Sequence, residues 1–270
     1  MKKHLLKHFC AVFLAWFMAL LLLPQSAQAQ EKEAYVVKSR NNKTLTFYYD
    51  DQKSSRTGTV WGIKETKEES EKTYPAWSGM RYTPESKVTT AVFDASFKNY
   101  LPQSTKFWFL NLKKLEKIEG LTNLNTSKVT TMGEMFRGCS SLTSLDLSNF
   151  NTENVYDMSE MFYECNSLQT IYCNNTWTYS HSRSRDMFSG CTSLQGAVPY
   201  DESKTDDYMA NPKTGYFTKK GSTGVATATT EANANIQAIY STDGRRLNEL
   251  QRGLNIIRMS NGTTQKILRK

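Results

Sequence analysis

The chain repeats itself every 26 residues. Met135-Phe136, Met161-Phe162 and Met187-Phe188 each open a run of the form M-F-x-x-C-x-S-L, so Cys139, Cys165 and Cys191 are 26 residues apart, as are Leu142, Leu168 and Leu194. A fixed period of this length, in several copies, is the signature of stacked repeats, each too small to bury its own apolar face.

The hydrophobic spacing changes partway through a copy. Leu142, Leu145, Leu147 and Phe150 alternate around their centre as a short strand does. Asn151 and Thr152 are good helix N-caps, because their side-chain oxygens accept from the free amides of a first turn. Val155, Met158, Met161 and Phe162 then recur at helical spacing, and Gly138 or Gly190 turns the chain back, with Glu164 at that place in the middle copy. The spacing therefore predicts strand, cap, short helix and turn. A worn copy precedes the clean ones: Trp108, Phe109, Leu112, Leu115, Ile118, Leu121 and Leu124 follow the pattern with one inserted residue, and Val129 and Met132 complete its helix. Val92, Asp94 and Phe97 read as an older inward strand. In the last copy Ile171, Cys173 and Trp177 take the places of Leu145, Leu147 and Phe150. The expected fold class is α/β, a right-handed β/α solenoid.

The flanks read differently. Lys2, Lys3 and Lys7, the apolar run Phe9 to Leu23, itself too short to span a bilayer, and Ala27-Gln28-Ala29 form a secretory signal peptide over residues 1–29. No later stretch is long and apolar enough for a transmembrane segment. Residues 30–88 contain strand-like runs at Tyr35–Lys38 and Thr44–Tyr49 around a turn at Asn41-Asn42, an N-terminal β cap for the repeat domain at 89–218. Residues 219–235 hold one large apolar residue, Val225, and read as a flexible linker. Turn signals at Asp243-Gly244 and Asn261-Gly262 mark a small C-terminal β segment, 236–270.

The charge balance excludes one partner class. The chain has 34 Lys and Arg against 26 Asp and Glu, but three lysines lie in the signal peptide and the excess of the rest lies in 236–270. The body from 30 to 235 is balanced, so no nucleic-acid partner is expected.

Chemistry-bearing motifs are few. After residue 29 the one histidine is His181, at the Val155 place of the last copy, and no nucleophile elbow, P-loop or H-E-x-x-H occurs. The expectation is no enzyme, no cofactor and no metal site. Cys139, Cys165 and Cys191 occupy one equivalent place and Cys173 a leucine place, so they read as an inward ladder of small apolar side chains. Parallel Cβ directions along such a ladder disfavour disulfides.

The run MFRGCSSLTSLDLSNFNTENVYDMSEMFYECNSL, with AYVVKSRNNKTLTFYYDDQKSSR before it and NPKTGYFT (Asn211 to Thr218) after it, resembles the BspA-like leucine-rich-repeat surface proteins of host-associated bacteria. The tail IYSTDGRRLNELQRGLNIIRMSNGTTQKILRK resembles, in a shortened form, the C-terminal sorting signals read by the type IX secretion system. The resemblances imply a leucine-rich-repeat fold and a protein secreted to the outer-membrane surface of a Gram-negative bacterium. They also imply sorting machinery as a partner through 236–270. The implied role is non-catalytic, adhesin-like binding of a host extracellular protein or glycan, or of a bacterial surface component. The competing reading is a structural spacer or coat component.

If anything binds, the outward side of the strands is the candidate face. Phe93, Lys117, Glu119, Ser144, Asp146, Thr170 and Tyr172 alternate with the inward residues there. They would line a sheet about 20 Å wide at about 4.8 Å per strand.

Overall fold

The expected helix does not form. The computed structural model describes residues 31–177, 184–220, 236–259 and 264–269, and no α-helix occurs among them. This overturns the α/β class and its β/α solenoid. The chain is instead a set of small β-sheets joined by turns and short 3-10 segments.

Hydrogen bonding explains the correction. An α-helix needs each amide to reach the carbonyl four residues back along its own axis. Here alternate amides leave sideways for the next copy. The N–H groups of Glu134, Phe136 and Gly138 donate to the carbonyls of Ser159, Met161 and Tyr163 at 2.9, 2.9 and 2.8 Å. The amides between them close single turns, Met135 to Met132, Arg137 to Glu134 and Cys139 to Phe136, at 3.1, 3.3 and 3.0 Å. Keeping both directions requires a left-handed residue at every second turn: Glu134 and Gly138 (φ 55° and 71°), Glu160 and Glu164 (54° and 58°), Asp186 and Gly190 (57° and 79°). Each breaks a right-handed helix. The result is a ribbon of turns, stacked copy on copy. Its three-residue turn closures put Val155, Met158 and Met161 inside, which is why the spacing mimics a helix. Asn151 does not cap one either, since its carboxamide oxygen accepts from Glu153 N–H in a local turn.

On the other side of the stack, short strands pair. β1 (Glu33–Lys38) and β2 (Thr44–Asp50) form an antiparallel hairpin, with β3 (Thr59–Gly62) on the outer edge of β1. Beside this lies a separate small hairpin, β4 (Thr66–Glu69) with β5 (Lys72–Pro75). β6 (Thr90–Phe93) adds parallel to β2, and β7 (Lys117–Glu119) parallel to β6, giving the order β3-β1-β2-β6-β7. A second parallel sheet follows, from β8 (Ser144–Asp146) through β9 (Thr170–Tyr172) to β10 (Phe217–Thr218).

Between strands and ribbon the equivalent side chains pile up in register. Phe109, Phe136, Phe162 and Phe188 stack at centroid spacings of 5.5, 5.6 and 5.4 Å, within 10° of parallel. Phe150 lies on Trp177 at 6.0 Å. Leu142, Leu145, Leu147, Phe150, Val155, Met158 and Phe162 are all buried. The far end closes on non-repeat residues: Phe217 meets Trp177 edge-on at 5.0 Å and Tyr216 meets Phe188 at 5.3 Å. The core so built runs from Ala34 to Phe217. The C-terminal segment makes its own antiparallel sheet from β11 (Ile236–Tyr240), β12 (Arg246–Leu247), β13 (Gly253–Met259) and β14 (Thr264–Arg269), in the order β12-β11-β13-β14. Among the described residues no helix is long and apolar enough to cross a membrane. The signal peptide, His181 and nearly all of the linker fall outside the described residues.

Candidate functional site

One inserted residue divides the parallel strands into two sheets. In the first copy Ile118 is followed by Leu121 at the place where Leu145 is followed by Leu147. The extra length is taken up by Gly120, left-handed at φ 64°, whose missing Cβ would strike the carbonyl of Phe93, and by the 3-10 turn Leu121–Asn123. β7 and β8 consequently belong to separate sheets. The two copies are joined at this level by a side chain: Asn149 Nδ2 donates to the carbonyls of Leu121 and Leu124, both at 3.2 Å.

The break opens a groove of about 440 Å³. Its floor is apolar, from Ile118, Leu121 and Leu145, and its rim is Lys117, Thr122, Ser144, Asp146, Tyr172 and Lys220. Of the face residues expected from sequence, Lys117, Ser144, Asp146 and Tyr172 meet here. Glu119 stands beside them, paired with Lys117 at 2.5 Å, and Thr170 flanks Ser144 in the β8–β9 register.

Phe93 does not join them, and this corrects the expected face. It is 1% exposed and lies in the core, stacked on Phe47 at 4.6 Å. The cause is the register of β6: pairing Phe47 with Phe93 turns Ala91 and Phe93 inward, and Val92 points out beside Glu119. The inward reading of Val92 and Asp94 is thus out by one, whereas Phe97 is buried.

Charge is balanced around the groove. Lys220 holds Asp146 at 2.5 Å. Partial burial pulls the Asp146 carboxyl upward, but the hydrogen bonds from Lys220 and Ser148 outweigh it and leave it below the ordinary aspartate range. The hydrogen bond to Glu119 raises Lys117. Tyr172, 37% exposed, gives the rim a flat apolar surface with a polar tip. Such a site suits a polar ligand with an apolar patch, bound without covalent chemistry. Lys220 and Gly120 were missed from sequence. The inserted residue was the signal that could have found the groove.

The cysteines lie away from it. Cys139, Cys165, Cys173 and Cys191 are free and buried. Each ladder thiol donates to the copy before it: Cys139, Cys165 and Cys191 Sγ donate to the carbonyls of Phe109, Phe136 and Phe162 at 3.1, 3.1 and 3.0 Å. Burial pushes the Cys191 thiol up to about 12 and those of Cys139 and Cys165 well above the ordinary range. Such thiols are poor nucleophiles and poor metal ligands. Among the described residues no three His, Cys, Asp or Glu side chains cluster as a metal site. A charged cluster on the ribbon face instead binds copies together: Arg81 reaches Glu134 at 2.9 Å and Glu160 at 3.4 Å, and Arg137 pairs with the same two and lies 3.9 Å over Tyr163.

The segment containing the clean copies and most of the groove resembles a known family. Residues 103–206 match the family described as Mycoplasma protein of unknown function, DUF285. The DUF285 segment takes in β7, β8, β9 and the turn ribbon, and leaves out the N-terminal hairpin and the C-terminal sheet. Over this segment the chain is similar to a family whose function is unknown. No curated protein and no solved structure matches the chain.

Proposed function

We propose that the protein is a non-catalytic, adhesin-like binding module of the bacterial cell surface, and that the groove between β7 and β8 holds its ligand. The observation that carries this reading is the groove itself: a backbone break on the strand face, floored by Ile118, Leu121 and Leu145 and rimmed by Tyr172, Lys117 and the Asp146–Lys220 pair. The DUF285 match supports surface placement, and the resemblance of the body to BspA-like proteins supports a host or bacterial macromolecule as ligand. Sealing the thiols in the core supports a role without catalysis. The C-terminal sheet serves on this reading as the sorting segment that takes the chain to the outer-membrane surface.

The test is a binding screen of the purified chain against matrix proteins, glycans and bacterial cells. A captured ligand should be lost on Tyr172→Ala and weakened on Asp146→Asn, with the melting temperature held. Binding that ignores both changes would move the site elsewhere. Ordered self-assembly with no captured ligand would favour the coat reading instead. For the tail, removal of 236–270 should leave a folded protein stranded in the periplasm, and arrival at the surface without it would end the sorting assignment.

A further inference from the structure

The turn ribbon has two ends, and they are finished differently. Within it, each copy offers a row of carbonyls to the copy before: those of Thr131, Gly133, Met135 and Arg137 accept from Thr105, Phe107, Phe109 and Asn111 at 3.1, 3.3, 2.9 and 2.7 Å. The equivalent carbonyls of the first copy belong to Ser104, Lys106, Trp108 and Leu110. The last two are covered, by the indole N–H of Trp77 at 3.0 Å and the amide of Gly79 at 2.8 Å. The carbonyls of Ser104 and Lys106 accept no hydrogen bond from any described residue. Where a preceding copy would lie on them there is a groove of about 620 Å³, walled on its far side by the β4–β5 hairpin. That volume is in the range of binding clefts, about 300–1,000 Å³.

We infer that this open ribbon end is a docking slot for an extended peptide segment of another protein. Two backbone N–H groups two residues apart would donate to the Ser104 and Lys106 carbonyls, as Thr105 and Phe107 donate to Thr131 and Gly133 one copy further on. The side chain between them would lie on Tyr100, Leu101 and Phe107. Leu101 is 46% exposed beside this groove. Phe107 occupies the left-handed ribbon place, φ 64°, that carries Glu134, Glu160 and Asp186 in the other copies. A bulky aromatic is an unusual choice there, and it stands in the one copy that borders the groove, its ring held by Tyr74 at 5.0 Å.

The other end of the ribbon argues against a second copy as occupant. Three of its outgoing amides are already used, among them that of Asp186, the counterpart of Phe107: Asp186 N–H meets the Asp206 carboxylate at 2.9 Å, Phe188 N–H the Thr205 carbonyl at 2.8 Å and Gly190 N–H the Tyr200 hydroxyl at 3.1 Å. A sister molecule therefore has no matching row of donors at this end to place on Ser104 and Lys106. The slot is separate from the groove beside β8 and stands whether or not that groove binds.

The probe is a library of random short linear peptides selected on the purified chain. Enriched peptides are expected to bind, and Leu101→Glu, at an exposed position, to weaken them about tenfold or more with the melting temperature unchanged. Methylating the peptide's backbone nitrogens one at a time should cost about tenfold at two positions separated by one residue, and little at the residue between. That pattern reads backbone recognition independently of any protein variant. The inference is overturned if no peptide is enriched, if Leu101→Glu in a folded chain leaves binding intact, or if methylation shows no alternation. It is also overturned if sedimentation shows the unmodified chain associating with itself through a contact that Leu101→Glu abolishes.

Discussion

Cys139, Cys165 and Cys191 do in this chain what small apolar residues do elsewhere, with the addition of one weak hydrogen bond each to the copy before. Two outcomes follow at this scale. Reductant should leave the melting temperature unchanged, and the intact mass should show no proton deficit. Alkali should not be neutral. Above about pH 8.5 the unfolded chain gives up its thiol protons, while the folded chain keeps them up to a raised pKa, about 12 for Cys191. The native state then binds more protons than the unfolded one, so stability falls as pH rises. Each ladder thiol contributes a slope of about 1.4 kcal/mol per pH unit. Denaturant titrations across that window should give a shallower slope for Cys165→Ala than for the parent chain. On the strand side, Leu145→Ala should cost about 2–5 kcal/mol by leaving a cavity, whereas Ser144→Ala, at an exposed position, should cost about 0.5 kcal/mol or less. Equal losses would place the β8 register out by one.

At the level of elements, circular dichroism should lack the paired minima of an α-helix, because alternate amides of the ribbon are committed to the next copy. Gly138→Ala tests that geometry directly. It forces a side chain into a left-handed residue, costing about 1–2 kcal/mol, and drives its Cβ onto the Asn111 carboxamide. Glu164 shows that the left-handed place can carry a side chain, so a chain that tolerated the change would not hold Asn111 against this turn. The example also separates what the sequence reveals from what it hides. Which residues face inward was readable, since the 26-residue period copies burial from rung to rung. The backbone beneath was not, because a run of three-residue turns buries the same stripe as a helix, and left-handed residues such as Glu134, Glu160 and Asp186 carry no distinguishing side chain. Phe93 was misread for a related reason: it lies before the clean repeats, and its facing is set by β2, a strand of the hairpin, rather than by the period. The β7–β8 groove was half readable. Its cause, the inserted residue, is visible by counting, but its Lys220 comes from far downstream and only folding brings it to Asp146.

For the whole molecule, the core ends at Phe217 and the C-terminal strands pair only with one another in their sheet. Deleting 236–270 should therefore leave the thermal unfolding of the body unchanged. Tyr216→Ala should not be so mild. Its ring closes the phenylalanine stack and its hydroxyl meets the backbone of Asp201 and Lys204, so a loss of about 3–5 kcal/mol is expected. Calorimetry on the two variants separates a terminal lid that the stack requires from an appendage that it does not.

The one-way hydrogen bonding of the ribbon has a consequence for how such a chain changes over generations. Every internal junction presents the same carbonyls on one side and the same amides on the other, whereas the two ends are finished by unrelated residues. A duplication of one 26-residue unit in the middle creates another junction of a kind already present and leaves both terminal fittings untouched. It adds about 4.8 Å of length for each unit. Reach can then be altered without redesigning the residues that begin and finish the stack.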